Sequence, residues 1–518
     1  MRILLGALIL IVSYANADES SYSPLSESEI DALVEKTREA FNIPGIALGI
    51  IQDGKVEHAR GYGVRSIHSP GPVTADTLFQ IASNTKSMTA AALAILIDEG
   101  KLSWDDRVVD HLPEFRLYDA WVTREFTVRD LLTHRSGLPL GAGDLLFFPE
   151  RHNTNINDVF RAIAHIKPVT SFRSGYAYDN LLYILAGEVV SRVSGMPWSE
   201  FVETQLFAPL GMVNCRATHR RVPSDANRAV PHVVGENGLQ TAGYFNSEFA
   251  GPAGGVNASV NEMMNWVMTQ LNHGKMPGGQ RLFSRRSHAE MWKPVTITAV
   301  VPPRAAGDKV RIRMYALGWK ISEHSGFQTI SHTGGLEGML TTVLMVPEKR
   351  LGIMVFTNQQ AGLARQAILS VLLQGLLERR ADRTFDDYVT ASEKKSDAAL
   401  ATMAAAWADR DADSPPSLKH AAYAGVYSDP WYGNVEIREH DGELRFESAV
   451  SPRLAGRICH FQHNTFVVEW DDRTMMADAY LRFEVGIDGR VERLEMKGFD
   501  PRIDFSYDFH HLDLRPRQ

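Results

Sequence analysis

Strand-forming runs stand at both ends of a long helical stretch, and that arrangement restricts the folds open to this chain more than any other feature. Residues 46–51 and 56–61 flank Gln52-Asp53-Gly54-Lys55, and an Asp-Gly pair between two apolar runs predicts a hairpin. Strands are next expected at residues 317–321, 341–346 and 351–357, the last two joined at Pro347-Glu348-Lys349-Arg350. Between them, residues 102–292 read as helix and long loop, with 180–194 as the clearest helix, stopped by Gly195. A helix over residues 26–41, opened by a capping box of Ser26 and Glu29, precedes the hairpin. An amphipathic helix over 363–379 follows the last strand. The expected fold class is α/β in the α+β sense: one antiparallel sheet assembled from distant segments, flanked by helices and carrying a mostly helical insert.

Beyond that unit the pattern changes. Residues 390–419 are rich in Ala, Asp, Lys and Ser, with Pro415-Pro416 near their end, and are expected to form a helix followed by a linker. From Tyr423 onward short alternating runs are broken at turns such as His440-Asp441-Gly442 and Asp488-Gly489. Repeated short strands at hairpin spacing predict a small all-β barrel or sandwich. The boundaries implied are a leader at 1–17, a main domain at 18–389, the helix and linker at 390–419, and the all-β domain at 420–518.

The leader rests on Arg2, an apolar run from Ile3 to Val12, and Ala15-Asn16-Ala17 before Asp18, which together match a secretory signal with a small-residue cleavage site. The run is too short to span a bilayer, so an exported protein without a stable membrane span is expected, periplasmic or secreted. A net charge of −8 and the lack of a basic run argue against nucleic acid as a partner. The two cysteines, Cys215 and Cys459, lie far apart and build no disulfide framework. Cys459, His460 and His463 read as strand and turn residues, since no second ligand cluster accompanies them.

Ser83-Asn84-Thr85-Lys86 sets a hydroxyl and an amine at i and i+3, the spacing that shares a helix face, at the start of a segment rich in Ala, Leu, Ile and Met that ends at Gly100. A serine hydroxyl is a poor nucleophile until a base takes its proton, and a desolvated lysine can act as that base. The structural alternative is a serine cap followed by an exposed lysine. Tyr178-Asp179-Asn180 opens the 180–194 helix, and His332-Thr333-Gly334-Gly335 precedes the strand at Thr341. Singly, these are a packed aromatic, a helix cap and a glycine turn. In the order S-x-x-K, Y-x-N, H-T-G they form a set. His134, within Leu131-Leu132-Thr133-His134-Arg135-Ser136-Gly137-Leu138, reads as a structural turn, and His288-Ala289-Glu290 lacks the second histidine of a metalloprotease.

With these three elements the chain resembles the serine β-lactamase and penicillin-binding-protein superfamily, in the branch of class C β-lactamases, D-alanyl-D-alanine carboxypeptidases, D-aminopeptidases and related esterases. Residues 131–138, Gly251-Pro252-Ala253-Gly254-Gly255 and Tyr315-Ala316-Leu317-Gly318-Trp319 resemble that branch as well. The likeness runs from about Ile30 to about Leu377, and the last domain resembles small β-barrel modules appended to some of these hydrolases. It implies an acyl-enzyme at Ser83, formed without metal or organic cofactor, with Lys86 and Tyr178 as the proton relay and Tyr178 as base toward the serine. Asn180 would donate to a substrate carbonyl and to Lys86, and the N–H groups of Ser83 and Gly335 would form the oxyanion hole. His332 and Thr333, with Gly334, would line the strand beside the substrate, for carboxylate recognition and support of the proton network.

β-Lactamases of this branch usually carry lysine where this chain has His332, whereas histidine there resembles the peptidases. The expected activity is therefore a peptidase on small peptides, D-residue-containing ones included, of carboxypeptidase or aminopeptidase type. An esterase or β-lactamase of the same fold is the alternative, and a penicillin-binding sensor without turnover is the alternative of another class. A homo-oligomer through the C-terminal domain is a further expectation.

Overall fold

The computed structural model of the protein describes residues 24–235, 238–302, 311–324, 326–377 and 383–517. The leader expected at 1–17 lies outside the described residues, as do residues 378 and 379 of the helix expected over 363–379.

The capping box at Ser26 forms as read, and the helix it opens is Glu27–Ala40. Asp53 and Gly54 both take positive φ, as a tight turn between Gly45–Gln52 and Lys55–Gly63 requires. That hairpin is one edge of an eight-stranded antiparallel sheet. After it come Leu351–Thr357, Met339–Val346, Phe327–Leu336, Lys320–His324, Arg311–Tyr315 and Thr296–Val301. The hairpin and three later strands are the ones whose local signals are legible, two of those three close to their observed bounds. The expected strand at 317–321 begins three residues later, because Gly318 turns at φ +77 against the backbone of Lys86 and Ser87. A Cβ there would meet that backbone at 2.8 Å.

Side chains of the central strands alternate between two cores, as strand period demands. Ile46, Leu48 and Ile50, with Ile353 and Val355, pack under the helices Glu27–Ala40 and Gly362–Leu376. Ala47, Ile51, Met354 and Phe356 point the other way, into the main core beneath the helical insert. Because both faces are covered, these strands read as continuous apolar runs although their pairing is antiparallel. In the insert, Thr85–Asp98 and Leu181–Ser194 cross the centre of the molecule and are almost wholly buried.

The helix Phe385–Asp409 follows, and its last turns pack Met403 and Trp407 on Phe461 and Phe499 of the C-terminal unit. That unit is a second eight-stranded antiparallel sheet, rolled so that Leu494 bridges to Leu514 and nearly closes a barrel. Its interior holds Tyr423, Phe446, Phe466, Trp470, Phe483 and Leu494, which belong to the same continuous core as the catalytic helices. Across the junction Arg453 grips Glu337 with two guanidinium nitrogens, at 2.6 and 2.8 Å. Among the described residues no helix is long and apolar enough to cross a membrane. Cys215 is buried, Cys459 half-buried, and both are free.

Candidate active site

Ser83 sits in a single 3-10 turn, Ala82–Asn84, that leads straight into the Thr85–Asp98 helix. Ala82 is in the left-handed region at φ +51, so the chain enters the helix through a sharp bend with Ser83 half-exposed at its tip. One turn deeper, Lys86 is fully buried. It is no exposed lysine behind a serine cap. Its Nζ donates to Ser83 Oγ at 3.2 Å, to Asn180 Oδ1 at 2.6 Å and to the Ala253 carbonyl at 2.8 Å. Burial pulls its pKa down to about 7, against the opposing pull of Asp144 and Asp179. The Gly251–Gly254 turn thus has a local purpose: it brings the Ala253 carbonyl to the lysine and the Pro252 carbonyl to Thr89.

The Tyr178 ring lies 4.7 Å from Lys86 Nζ. Its hydroxyl oxygen is enclosed and makes no hydrogen bond. Burial raises its pKa well above 10, and the nearby Ser83 hydroxyl only partly offsets this. Asn180 holds the N-cap position of Leu181–Ser194 but caps nothing with its side chain. Its amide is committed instead to Lys86 on one side and to Asp144 Oδ2, 2.8 Å away, on the other.

His332, Thr333, Gly334 and Gly335 lie inside the strand Phe327–Leu336, beside the Ser83 turn. His332 is buried and both ring nitrogens are occupied: Nδ1 faces the Thr333 carbonyl at 2.7 Å and Nε2 the Tyr315 hydroxyl at 2.9 Å. A carbonyl only accepts, so Nδ1 carries the proton and Nε2 accepts from Tyr315. Burial, then the charges of Lys320 and Lys86, hold the ring neutral. The cations beside this strand are Lys320, whose Nζ donates to Thr333 Oγ1 at 3.2 Å, and Arg365, which donates to the Gly334 carbonyl at 3.2 Å. The register places Lys320 opposite Ser331, one alternation from Thr333. Its place directly after the Tyr315–Trp319 stretch was the one signal for it in the sequence.

Gly334 is where the strand and the Ser83 turn touch. A Cβ there would lie 2.1 Å from the Ile81 carbonyl and 2.3 Å from Thr341 Oγ1. Gly334→Ala is therefore expected to push the Ser83 turn away from the strand, destabilising the fold by about 1–3 kcal/mol. Thermal unfolding and kcat/KM should fall together.

Seven of the eight residues singled out in the sequence, Ser83, Tyr178, Asn180, His332, Thr333, Gly334 and Gly335, line one cleft of about 360 Å³, and Lys86 lies directly behind Ser83. Sequence reasoning set His134 aside as a turn. It is a turn residue, at φ +52, yet its ring is buried 4.2 Å from that of Tyr178 and its Nδ1 accepts from the Asp179 N–H. Sequence reasoning missed Asp144 and the C-terminal loop Asp504, Phe505 and Ser506, which forms part of the cleft wall. The described residues contain no group of three or more His, Cys, Asp or Glu placed to hold a metal ion.

The Beta-lactamase family model matches residues 30–378, and a domain of unknown function (DUF3471) matches residues 409–516. The unguisins hydrolase ungD' of Aspergillus campestris is 24% identical over 81% of this chain and 79% of that protein. Protein flp of Staphylococcus aureus is 26% identical over 64% of the chain, a match that spans 63% of that protein's length. Among solved structures, the octameric penicillin-binding protein homologue from Pyrococcus abyssi superposes with a TM-score of 0.59 at 18% identity, covering 95% of this chain and all of that one. SurE gives a TM-score of 0.55 at 18% identity, covering 95% and 98%. The family match spans most of the chain, and the mixed α/β architecture with its antiparallel sheet agrees with it. The chain belongs to the Beta-lactamase family, within the serine hydrolase superfamily of β-lactamases and penicillin-binding proteins.

Proposed function

We propose that the protein is an exported hydrolase that forms an acyl-enzyme at Ser83 and cleaves small peptides, D-residue-containing ones included, near a free end. The observation that carries the chemistry is a fully buried amine with a pKa near 7, 3.2 Å from a half-exposed serine hydroxyl. At neutral pH a large fraction of Lys86 is unprotonated, so it can take the Ser83 proton as Oγ attacks the substrate carbonyl carbon. The N–H groups of Ser83 and Gly335 hold the oxyanion. Collapse of the tetrahedral intermediate breaks the C–N bond, and the leaving amine receives a proton. Tyr178 stays protonated at neutral pH, which suits it to deliver that proton and recover one from Lys86. Water then attacks the Ser83 ester by the same route, releasing the acid. In this reading Lys86 is the base and Tyr178 the relay, the reverse of the order that family resemblance suggests.

A peptide is favoured over a simple ester by the charges of the cleft. Lys320 and Arg365 contribute cations along the Thr333–Gly335 side, and Asp504, its pKa raised by burial against the opposing pull of Ser506, contributes an acidic group from the C-terminal loop. Such a site suits a substrate that carries an ammonium and a carboxylate, as a short peptide does. A relative named a hydrolase supports turnover over a sensor role.

The test is kcat/KM across free, N-acetylated and C-amidated short peptides of L and D residues, with a phenyl ester and a penicillin. The free peptide is expected to exceed its blocked forms by roughly tenfold or more, a gap of about 1.4 kcal/mol. Asp504→Asn should remove the preference for a free amine and leave ester turnover in place. Turnover of the ester alone would make the protein an esterase. A lasting penicillin adduct without turnover of any substrate would make it a sensor.

A further inference from the structure

The lysine's chief side-chain partner, Asn180, is itself held by a carboxyl group that the reaction scheme does not use, and that carboxyl is held in turn by the C-terminal barrel. Asp144 is fully buried. Its Oδ2 accepts from the Asn180 amide at 2.8 Å and from the Ser506 hydroxyl at 2.8 Å, while Oδ1 has no partner. A primary amide has one accepting and one donating end. With Asp144 taking the N–H, the oxygen of Asn180 is turned toward Lys86, where it accepts at 2.6 Å. Were the amide reversed, its NH2 would face the lysine and that hydrogen bond would be lost.

The backbone around Asp144 is fixed from the same source. Asp508, also buried, accepts from the N–H groups of Gly143 at 2.8 Å and Leu145 at 3.0 Å, the residues on either side of Asp144. Its third carboxylate contact, His511 Nδ1 at 3.0 Å, ties it into the barrel. Phe505, immediately before Ser506, sets its ring edge-on to Tyr178, with 5.9 Å between ring centroids, and its backbone lies against Gly141. One loop of the barrel therefore supplies a hydroxyl, a carboxylate and an aromatic ring to the back and wall of the site. Burial and the neighbouring Asp508 raise the pKa of Asp144. Burying a carboxyl in such surroundings costs stability, which marks it as a candidate for a role in the site.

We propose that Asp144 is a positioning residue that orients Asn180 and through it Lys86, and that the barrel, acting through Ser506 and Asp508, is a working part of the active site. The inference rests on Lys86 being the base, and it gives the C-terminal domain a role in the rate of the reaction as well as in the shape of the cleft.

Ser506→Ala in the full-length protein tests it. The expected result is a fall in kcat of roughly tenfold or more with KM changed less than about threefold, because the substrate still binds while the base is misplaced. In a background that already carries Asn180→Ala, the same substitution is expected to change kcat less than about twofold, since the link to Lys86 is then gone. A merely structural role would lower the unfolding temperature and act equally in both backgrounds. Asp144→Asn, which keeps the volume of the side chain, provides a second variant should Ser506→Ala fail to fold, and is expected to lower kcat in the same way. Unchanged kcat in the folded variants, an effect on KM alone, or equal effects in the two backgrounds would overturn the proposal. If Lys86→Met were fully active, the assignment of the base would fail as well. If Lys86 were essential and Ser506→Ala neutral, only the positioning chain would fall.

Discussion

Replacing Ser83 by alanine is expected to lower kcat/KM by roughly four to six orders of magnitude on every substrate that the protein turns over. The Ser83 hydroxyl has one hydrogen bond in the structure, to Lys86, and its side chain is half-exposed, so its removal leaves the packing of the Thr85–Asp98 helix intact. What remains is binding and the oxyanion hole, which by themselves sustain only a small fraction of a nucleophilic enzyme's rate. The variant should unfold at the temperature of the parent and still bind substrate. Hydrolysis within about tenfold of the parent would place the nucleophile elsewhere.

The pH profile of kcat/KM is expected to show an acid limb centred near pH 7, with activity rising to a plateau above it. The sign follows from Lys86. Burial lowers its pKa from the ordinary lysine value to about 7, so the neutral, proton-accepting form is present above that pH and is lost as pH falls through it. Lys86→Met should lower kcat/KM by roughly three orders of magnitude or more at every pH and abolish the limb. Tyr178→Phe removes only the relay. It is expected to cost roughly 10²–10³ in kcat and to leave the limb where it was, because burial keeps the Tyr178 hydroxyl protonated throughout this range. If Tyr178→Phe erased the limb and Lys86→Arg preserved it, the two roles would have to be exchanged.

What the sequence made legible was whatever is written locally. The Asp53-Gly54 turn, the Ser26 capping box and the apolar runs that became Met339–Val346 and Leu351–Thr357 each carry their signal within a few residues. Of the three strands beyond Phe327–Leu336, Lys320–His324 reads three residues too early, at 317–321, and the outer two carry no such signal. Arg311–Tyr315 and the edge strand Thr296–Val301 leave apolar residues, Ile297, Val300 and Ile312, on exposed positions, so no apolar-in, polar-out alternation marks them and pairing holds them in place. Phe327–Leu336 itself is disguised by Gly334 and Gly335, residues that weaken a strand pattern but are needed where Ile81 approaches.

The candidate site divides the same way. Ser83 and Lys86 lie one helical turn apart, so their spacing is readable, and Tyr178 and Asn180 mark the start of a helix whose apolar content is plain. Asp144 carries no such mark. Its meaning depends on Ser506, 362 residues away in the chain, and on Asp508, which reaches the same turn from a domain that reads only as a string of short strands. Lys320 and Arg365 likewise gain their place from strand register and helix packing. Contacts of this kind are set by the closure of the barrel against the sheet, and nothing in a window of a few residues reports them.

The most direct measurement is to quench the protein during turnover of a slow peptide or ester, or after reaction with a fluorophosphonate, and to map the mass shift by tryptic digestion. Cleavage after Arg65 and Lys86 places Ser83 in the peptide from Ser66 to Lys86. The expected result is one adduct per chain, located on Ser83 by fragmentation, formed faster above pH 7 than below it and missing from Ser83→Ala. An adduct on another residue, or hydrolysis with no covalent species on Ser83 at any time, would contradict an acyl-enzyme formed by the serine that Lys86 activates.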